Sequence, residues 1–349
     1  MFVVLATVIF ASMSLTTFEA NASPRTPLPR AHMIPDVPWH QQLNALTCGA
    51  GALETIFDHW GPDIDQKEIM NVARTSSMGT WTPDIVRTGH FSYLSNAAGN
   101  FFPSIGPYGG FEERQLGYAA FSHRSSDFWL DQLKALIADN IPVIVLMKYD
   151  PWGGGGHYRV VIGYDDNEQL IYFSDPWGRD LNHLTDWTGV ISWSYADFQM
   201  GWNYAEYGAA NPYFGAAIMP WVVDVNVKGS ATAGSAVTVT ADIEYPCPQP
   251  FDSSQFPAQD CEARIALPAG MMLISGSAIA CLGTISAGST AKVAWKVICT
   301  SDATGKSISV SAQGTISGFV PEARWQGQTV YYPAYGYIDS IGGETKVNL

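Results

Sequence analysis

The spacing of apolar residues in the first half of the chain predicts helices separated by polar turns. After Cys48, apolar side chains recur at three- and four-residue intervals, the periodicity of one buried helical face: Leu53, Ile56, Phe57 and Trp60. Thr47 precedes this run and is a suitable N-cap. Three further helices are predicted: 65–70, a helix that opens at Thr82 as cap with Pro83 in its first turn, and 126–138.

The middle of the chain has the composition of β-strands. Residues 143–147 form a continuous apolar run typical of a buried strand. Residues 158–164 and 169–174 are two more strand segments, and the acidic segment 165–168 between them has the composition of a turn. The two segments therefore predict a hairpin that ends at Asp175.

The register of this hairpin determines which side chains meet. If Tyr164 faces Gln169, Asp175 lies opposite Tyr158. A bulge, or a turn one residue different in length, places Asp175 opposite His157 instead. In either register we expect His157 and Asp175 at neighbouring positions.

From Val222 the pattern changes to short alternating segments separated by Gly, Ser and Asp, such as 236–244, 292–299 and 307–312. Strands of this length and spacing are typical of a β-sandwich of roughly a hundred residues. We therefore predict an all-β, immunoglobulin-like sandwich over 222–318. A C-terminal extension, 319–349, is expected to pack on one of the domains.

Composition and charge narrow the classes of partner. The chain has 349 residues, is 47% hydrophobic and carries a formal net charge of −14. A core of this apolar content is typical of a folded protein with two domains. The acidity argues against binding to nucleic acid or to an anionic membrane, because both need a basic surface. No Cys or His spacing indicates a metal site, and we expect no cofactor.

The amino-terminal residues have the pattern of a signal peptide. Residues 2–15 are an apolar run too short for a comfortable membrane span, and Ala20-Asn21-Ala22 is a small-x-small cleavage site. We therefore predict a signal peptide over 1–22, Ser23 as the first mature residue, and a proline-rich lead-in over 23–35. The mature chain is expected to be secreted, extracellular or at the cell surface, without a membrane span.

Four of the five cysteines lie in the second half of the chain. In an oxidising compartment these four are expected to pair, which leaves Cys48 as the odd thiol. Three pairings are possible, and we predict Cys247–Cys261 with Cys281–Cys299 because these pairs close the shortest loops. A free thiol in a secreted protein is exposed to oxidation, so its presence calls for a reason such as catalysis.

Two interpretations of Cys48 follow from its surroundings. A small cysteine at this place could simply pack as an apolar residue. Alternatively, the positive end of the helix dipole and the free backbone N–H groups favour the thiolate, which is the nucleophile.

Three other residues complete a set for thiol catalysis. A thiol nucleophile needs a base and a third group that orients the base, and His157 and Asp175 fill these roles. The side-chain amide of Gln42, six residues before Cys48, could donate to the oxyanion together with the Cys48 backbone N–H. The glycines at 153–156 would let an extended substrate approach the base closely.

Taken together, five short motifs resemble papain-like cysteine peptidases of the bacteriocin-processing (double-glycine leader peptidase) type, in particular their stand-alone secreted relatives. The resemblance covers roughly residues 35 to 220, and its motifs are Val37–Gln42, Cys48-Gly49, Gly156–Tyr158, Val160–Tyr164 and Asp175-Pro176.

The resemblance implies an α+β papain-like domain over 36–221, in which a helix bearing the cysteine packs on an antiparallel sheet bearing the histidine and aspartate. It also implies roles for four residues. Cys48 would be the nucleophile, His157 the general base and acid, Asp175 the orienting residue and Gln42 the oxyanion donor.

The function expected from these features is hydrolysis of peptide bonds through an acyl-enzyme, with a peptide or protein as substrate. Two alternatives remain open at this point. One is a catalytically silent module of the same fold that binds peptides or a surface, and the β-sandwich could mediate cell-surface association. The other is a cell-wall peptide amidase or transpeptidase that uses the same triad.

Overall fold

The structure, a computed structural model, describes residues 27–95, 111–178, 189–324 and 330–349. The predicted signal peptide, 1–22, lies outside the described residues. Within them, no helix is long and apolar enough to cross a membrane. The helices of the described residues are α1 (Cys48–Trp60), α2 (Gln66–Val72), α3 (Thr82–His90), α4 (Leu130–Ala138) and α5 (Tyr195–Trp202).

The helix that starts at Cys48 is confirmed, and Thr47 occupies its N-cap position. The Thr47 side chain makes no cap hydrogen bond to the helix. It bonds backwards to Asn44 instead, accepting from the Asn44 N–H and donating to the Asn44 carbonyl. The segment before Cys48 is therefore fixed as a tight turn.

Two other predicted helix starts differ from the structure. Trp81 is the N-cap of α3, and Thr82 is already its first helical residue, because Thr82 bonds through its N–H and hydroxyl to Glu206. The helix predicted over 126–138 begins at Leu130, after an N-cap at Trp129. The indole of Trp129 is buried and donates to the carbonyl of Tyr213, which holds this approach to the helix in a non-helical conformation.

The first half of the chain builds one antiparallel sheet in the order β2-β7-β3-β4-β5-β6, and β1 pairs with the far end of β4. Helix α1 packs against β4, the central strand. Residues 143–147 of β3, residues 157–164 of β4 and all of β7 are buried. The strands are β1 (Ala31–Met33), β2 (Ala119–His123), β3 (Val143–Asp150), β4 (Gly153–Asp165), β5 (Leu170–Ser174), β6 (Val190–Ser194) and β7 (Phe214–Met219).

The second half is all β and forms two four-stranded antiparallel sheets, ordered β12-β10-β14-β17 and β11-β13-β9-β8, with a small pair β15-β16. The C-terminal strand β17 pairs with β14 from Ser307 to Val320, so the extension belongs to a sheet. The strands are β8 (Val222–Lys228), β9 (Ala236–Glu244), β10 (Ala258–Ala266), β11 (Met271–Leu273), β12 (Ile279–Ile285), β13 (Thr290–Cys299), β14 (Ser307–Val320), β15 (Ala323–Arg324), β16 (Val330–Tyr332) and β17 (Tyr335–Asn348).

Neither predicted disulfide is present, and all five cysteines are free thiols. Cys281 is exposed on β12 whereas Cys299 is buried on β13, in the other sheet. Strand pairing places Cys261 opposite Gly283, not opposite Cys247. Loop length therefore gave the wrong pairs, because the sheets decide which side chains face each other. Because all five cysteines are unpaired, Cys48 is not distinguished from the others as an odd thiol.

Two buried arginines join the first sheet and its helices (the peptidase unit) to the all-β unit, which consists of residues 222–349 with the two four-stranded sheets and the pair β15-β16. Arg74 pairs with Asp84 through two contacts of 2.7 and 3.0 Å, and its guanidinium also donates to the carbonyl of Pro333 at 3.0 Å. Arg87 on α3 lies 3.2 Å from Asp339 on β17. All four charged side chains are almost completely buried, so the contact between the units is fixed by charge as well as by packing.

We predict that Arg74→Met lowers the free energy of unfolding by about 3–5 kcal/mol, because it leaves the buried Asp84 carboxylate unpaired. Lys292→Met is the matched control, since Lys292 forms an exposed ion pair with Asp242. Such a surface pair contributes at most about 1 kcal/mol. Urea denaturation of both variants measures the difference, and equal losses would contradict the prediction.

Candidate active site

Cys48 lies at the start of α1 and is only 7% exposed. At this end of the helix, Gly49 and Gly51 pack closely against neighbouring residues. A Cβ at Gly49 would lie 2.8 Å from the Thr80 side chain, and one at Gly51 would lie 3.0 Å from Pro176. A side chain at position 49 would force a shift, and one at position 51 would be unusually tight, so these two glycines help determine where the thiol lies.

The histidine and the aspartate come from the predicted hairpin, but in a register that neither expectation described. In the structure Val160 faces Ser174, and a bulge between Val161 and Gly163 shifts the ladder. Continued by one residue, this register places Asp175 opposite Arg159. Arg159 lies on the same face of β4 as His157, two residues further along the strand. The Nε2 atom of His157 lies 2.8 Å from the Asp175 carboxylate.

Arg159 is the site residue that the sequence interpretation missed. Its Nε donates to Asp175 at 2.8 Å, and its remaining nitrogens donate to the carbonyls of Lys148 and Tyr149. The period of two along a strand places residues 157 and 159 on one face, and this spacing was the available signal. Burial raises the pKa of Asp175, but the charges of Arg159 and His157 outweigh it and hold that pKa well below its usual value of 3.8.

The thiol and the imidazole shift each other's pKa in opposite directions. Burial raises the pKa of Cys48, but the hydrogen bond and charge of His157 and a backbone hydrogen bond from Tyr158 bring it below its ordinary 9.0. Burial lowers the pKa of His157, and the charge of Asp175 with hydrogen bonds to Asp175 and Cys48 brings it above 6.5. Both directions favour a thiolate next to an imidazolium.

Gln42 is held beside this pair by the segment that follows Asp175. Its backbone N–H donates to the Pro176 carbonyl at 2.8 Å, and its side-chain amide nitrogen donates to Asn44. The side chain is buried. Nearby, the Trp39 indole donates to the carbonyl of Asp175 at 2.6 Å. The segment 39–42 is thus attached to the end of the hairpin.

Two depressions open on the two reacting groups. The first, of about 220 Å³, is lined by Cys48, and we call it the thiol pocket. The second, of about 330 Å³, is lined by His157 and Gln42, and we call it the imidazole pocket. The remaining walls of the thiol pocket are Met78, Gly79, Thr80, Trp81, Leu146, Gly155, Gly156, Tyr158, Tyr204, Glu206 and Tyr207, and those of the imidazole pocket are Ala45, Tyr149, Gly155, Gly156 and Trp177.

The predicted role of the glycine run is refined by these walls. Gly155 and Gly156 line both pockets. A Cβ at Gly155 would meet nothing within 4 Å, whereas one at Gly156 would lie 2.8 Å from the ring of Tyr204. Gly155 therefore leaves open space beside the base, and Gly156 makes room for Tyr204. Among the described residues, no group of three or more His, Cys, Asp or Glu side chains is arranged to hold a metal ion.

The family model for the Peptidase_C39 like family matches residues 34–210. This chain belongs to that family. It is therefore a cysteine peptidase with a papain-like fold, and the resemblance stated from the sequence motifs is confirmed. The matched range contains all four residues to which the sequence assigned roles.

Solved structures similar to the peptidase include xylellain, a cysteine protease from Xylella fastidiosa. It is 17% identical, the match covers 55% of this chain and 87% of xylellain, and the TM-score is 0.36. Another is the peptidase domain of Streptococcus ComA, a bi-functional ABC transporter involved in a quorum-sensing pathway. It is 15% identical, with 52% of this chain and 98% of that domain covered and a TM-score of 0.31. Among curated proteins, nothing matches this chain.

We predict that alkylation of Cys48 by iodoacetamide follows a pH midpoint below 9.0, the ordinary value for a thiol. In His157→Ala, Cys48 stays buried but loses its positively charged partner, so the pH midpoint of its alkylation is expected to rise. The rate at each pH is measured on the Cys48 peptide by mass spectrometry. Cys281, which is exposed, serves as the internal control, and an unchanged Cys48 midpoint in the variant would contradict the assignment.

Proposed function

We propose that this peptidase hydrolyses peptide bonds through Cys48, His157 and Asp175, with Gln42 as an oxyanion donor. The observation that carries the proposal is the 2.8 Å contact between Nε2 of His157 and the Asp175 carboxylate, next to a buried thiol whose pKa His157 lowers. Since Nε2 of His157 bonds to Asp175, the other ring nitrogen, Nδ1, is the one available to Cys48. This arrangement supplies a nucleophile, a base and an orienting group.

The reaction then proceeds by acyl transfer. The Cys48 thiolate attacks the substrate carbonyl carbon and forms a C–S bond, and the carbonyl oxygen becomes an oxyanion. The His157 imidazolium gives its proton to the leaving amine as the C–N bond breaks. A water molecule, deprotonated by His157, then attacks the carbonyl carbon of the thioester. The C–S bond breaks, the carboxylic acid product dissociates, and the Cys48 thiolate is regenerated.

Gln42 is suited to stabilise the oxyanion because its orientation is fixed before substrate binds. The amide nitrogen uses one N–H on the Asn44 carbonyl, which leaves the second for a ligand. Preorganised donors of this kind contribute more than donors that must reorient during the reaction. The backbone N–H of Cys48, at the start of α1, is the expected second donor.

We further propose that the peptidase acts outside the cell and that its all-β unit is an immunoglobulin-like sandwich. The first part is supported by the predicted signal peptide, and amino-terminal sequencing of the exported protein, expected to begin at Ser23, tests it. The second part is supported by two four-stranded antiparallel sheets with alternating buried positions, such as those of β9. Superposition of an experimental structure of this unit on immunoglobulin domains tests the topology.

We expect Cys48→Ala to abolish hydrolysis of an unstructured protein, because the variant has no nucleophile. Cleavage is followed by gel electrophoresis and the products by mass spectrometry. Cys281→Ala is the matched control and should retain wild-type activity, since this exposed thiol lies on β12 of the all-β unit. Hydrolysis at the wild-type rate by the folded Cys48→Ala protein would refute the proposal.

We expect Gln42→Ala to lower kcat by about 10²–10³ with little change in KM, because an oxyanion donor acts on the transition state. Gln41→Ala is the control: Gln41 is the exposed neighbour, and its structural contact is made by its backbone carbonyl. Steady-state kinetics on a peptide substrate measure both variants. A change in KM alone would assign Gln42 to substrate binding instead.

A further inference from the structure

The thiol pocket continues into a larger depression of about 550 Å³, which we call the outer groove. The two share three lining residues: Trp81, Glu206 and Tyr207. The far wall of the outer groove comes from the all-β unit, through residues 321, 322 and 324. The path that begins at Cys48 therefore runs from one unit of the protein to the other.

This far wall is held in place by buried contacts. The Arg74 guanidinium donates to the carbonyls of Pro321 and Pro333, at 3.4 and 3.0 Å, while it pairs with Asp84. Arg74 itself lines the outer groove. Because Arg74 is 1% exposed, the wall is preorganised with respect to the peptidase unit.

The chemistry of the outer groove suits an uncharged segment. Its charged side chains are already paired, Arg124 with Glu206 at 2.8 Å and Arg324 with Glu322. Its other walls include aromatic and proline surfaces, and the Tyr207 side chain is 47% exposed. Burying apolar substrate side chains in this groove would be energetically favourable, whereas a charged substrate residue would find no unpaired partner among these groups.

The proposed mechanism gives the groove a direction. After attack, the acyl part of the substrate stays bonded to Cys48, which lines the thiol pocket. The leaving amine takes its proton from His157, which lines the imidazole pocket. The thiol pocket and the outer groove beyond it therefore lie on the acyl side, where the residues before the scissile bond bind.

We propose that the outer groove is an extended subsite that binds apolar residues on the amino-terminal side of the scissile bond, and that the all-β unit forms part of it. This inference rests on the proposed function. It assigns the all-β unit a part in substrate selection: the peptidase favours long substrates with an apolar acyl-side segment. An extended peptide advances about 3.3 Å per residue, so several residues are needed to reach the far wall.

The test compares two series of fluorogenic peptide amides with the same residue before the cleaved bond. One series has two acyl-side residues and the other has seven, with apolar residues at the outer positions. Ala210→Trp and Glu322→Trp fill the groove from its two walls, since both positions are exposed and line it. Ala278→Trp is the control, an exposed loop position of the all-β unit away from the groove.

The wild type and Ala278→Trp are expected to cleave the long peptides at least about tenfold more efficiently in kcat/KM, equivalent to about 1.4 kcal/mol. Both groove variants are expected to lose this advantage and to cleave the short peptides like the wild type. Charged outer residues should remove the advantage in the wild type as well.

Either of two results with the groove variants would overturn the inference: equal loss of activity on short and long peptides, or an unchanged advantage of the long peptides. If the groove variants instead respond to residues on the leaving-amine side of the scissile bond, the outer groove binds that side of the substrate, which would also overturn the inference. These results are distinct from failure of the proposed function, which would show as hydrolysis that does not depend on Cys48.

Discussion

The site depends on a buried carboxylate that two cations share. Asp175 is fully buried and lies 2.8 Å from both His157 and Arg159. A buried carboxylate is stable only when it is paired and hydrogen-bonded. Arg159 is always charged, so Asp175 remains ionised whatever the protonation state of the imidazole. His157 therefore keeps a fixed partner and a fixed orientation while its own proton moves.

Close packing carries this constraint to the thiol and to Gln42. The segment after Asp175 accepts a hydrogen bond from the Gln42 backbone through Pro176, and Pro176 also packs against Gly51 of the helix that begins at Cys48. Small changes in the hairpin would thus move both the nucleophile and the amide. One strand end thus positions both Gln42 and Cys48, which lie more than a hundred residues before it in the sequence.

The all-β unit is tied to the same framework. Arg74 and Arg87, which come from the helical side of the peptidase unit, form buried contacts with carbonyls and with Asp339 of the all-β unit. Ion pairs of this kind are costly to bury and are lost if the two units separate. This fixed docking makes a substrate groove across the two units physically reasonable, whereas a flexible tether would not preserve its far wall.

The sequence by itself determined the helix after Cys48, the family, and the neighbouring positions of His157 and Asp175. It also indicated six strands: β3, β4, β5, β9, β13 and β14. These features depend on local periodicity and on short motifs. The tertiary structure decided the hairpin register, because a bulge near Gly163 shifts the ladder and no local pattern specifies it. It also decided the pairing of Arg159 and the state of the cysteines, because burial and facing across sheets depend on residues far apart in the chain.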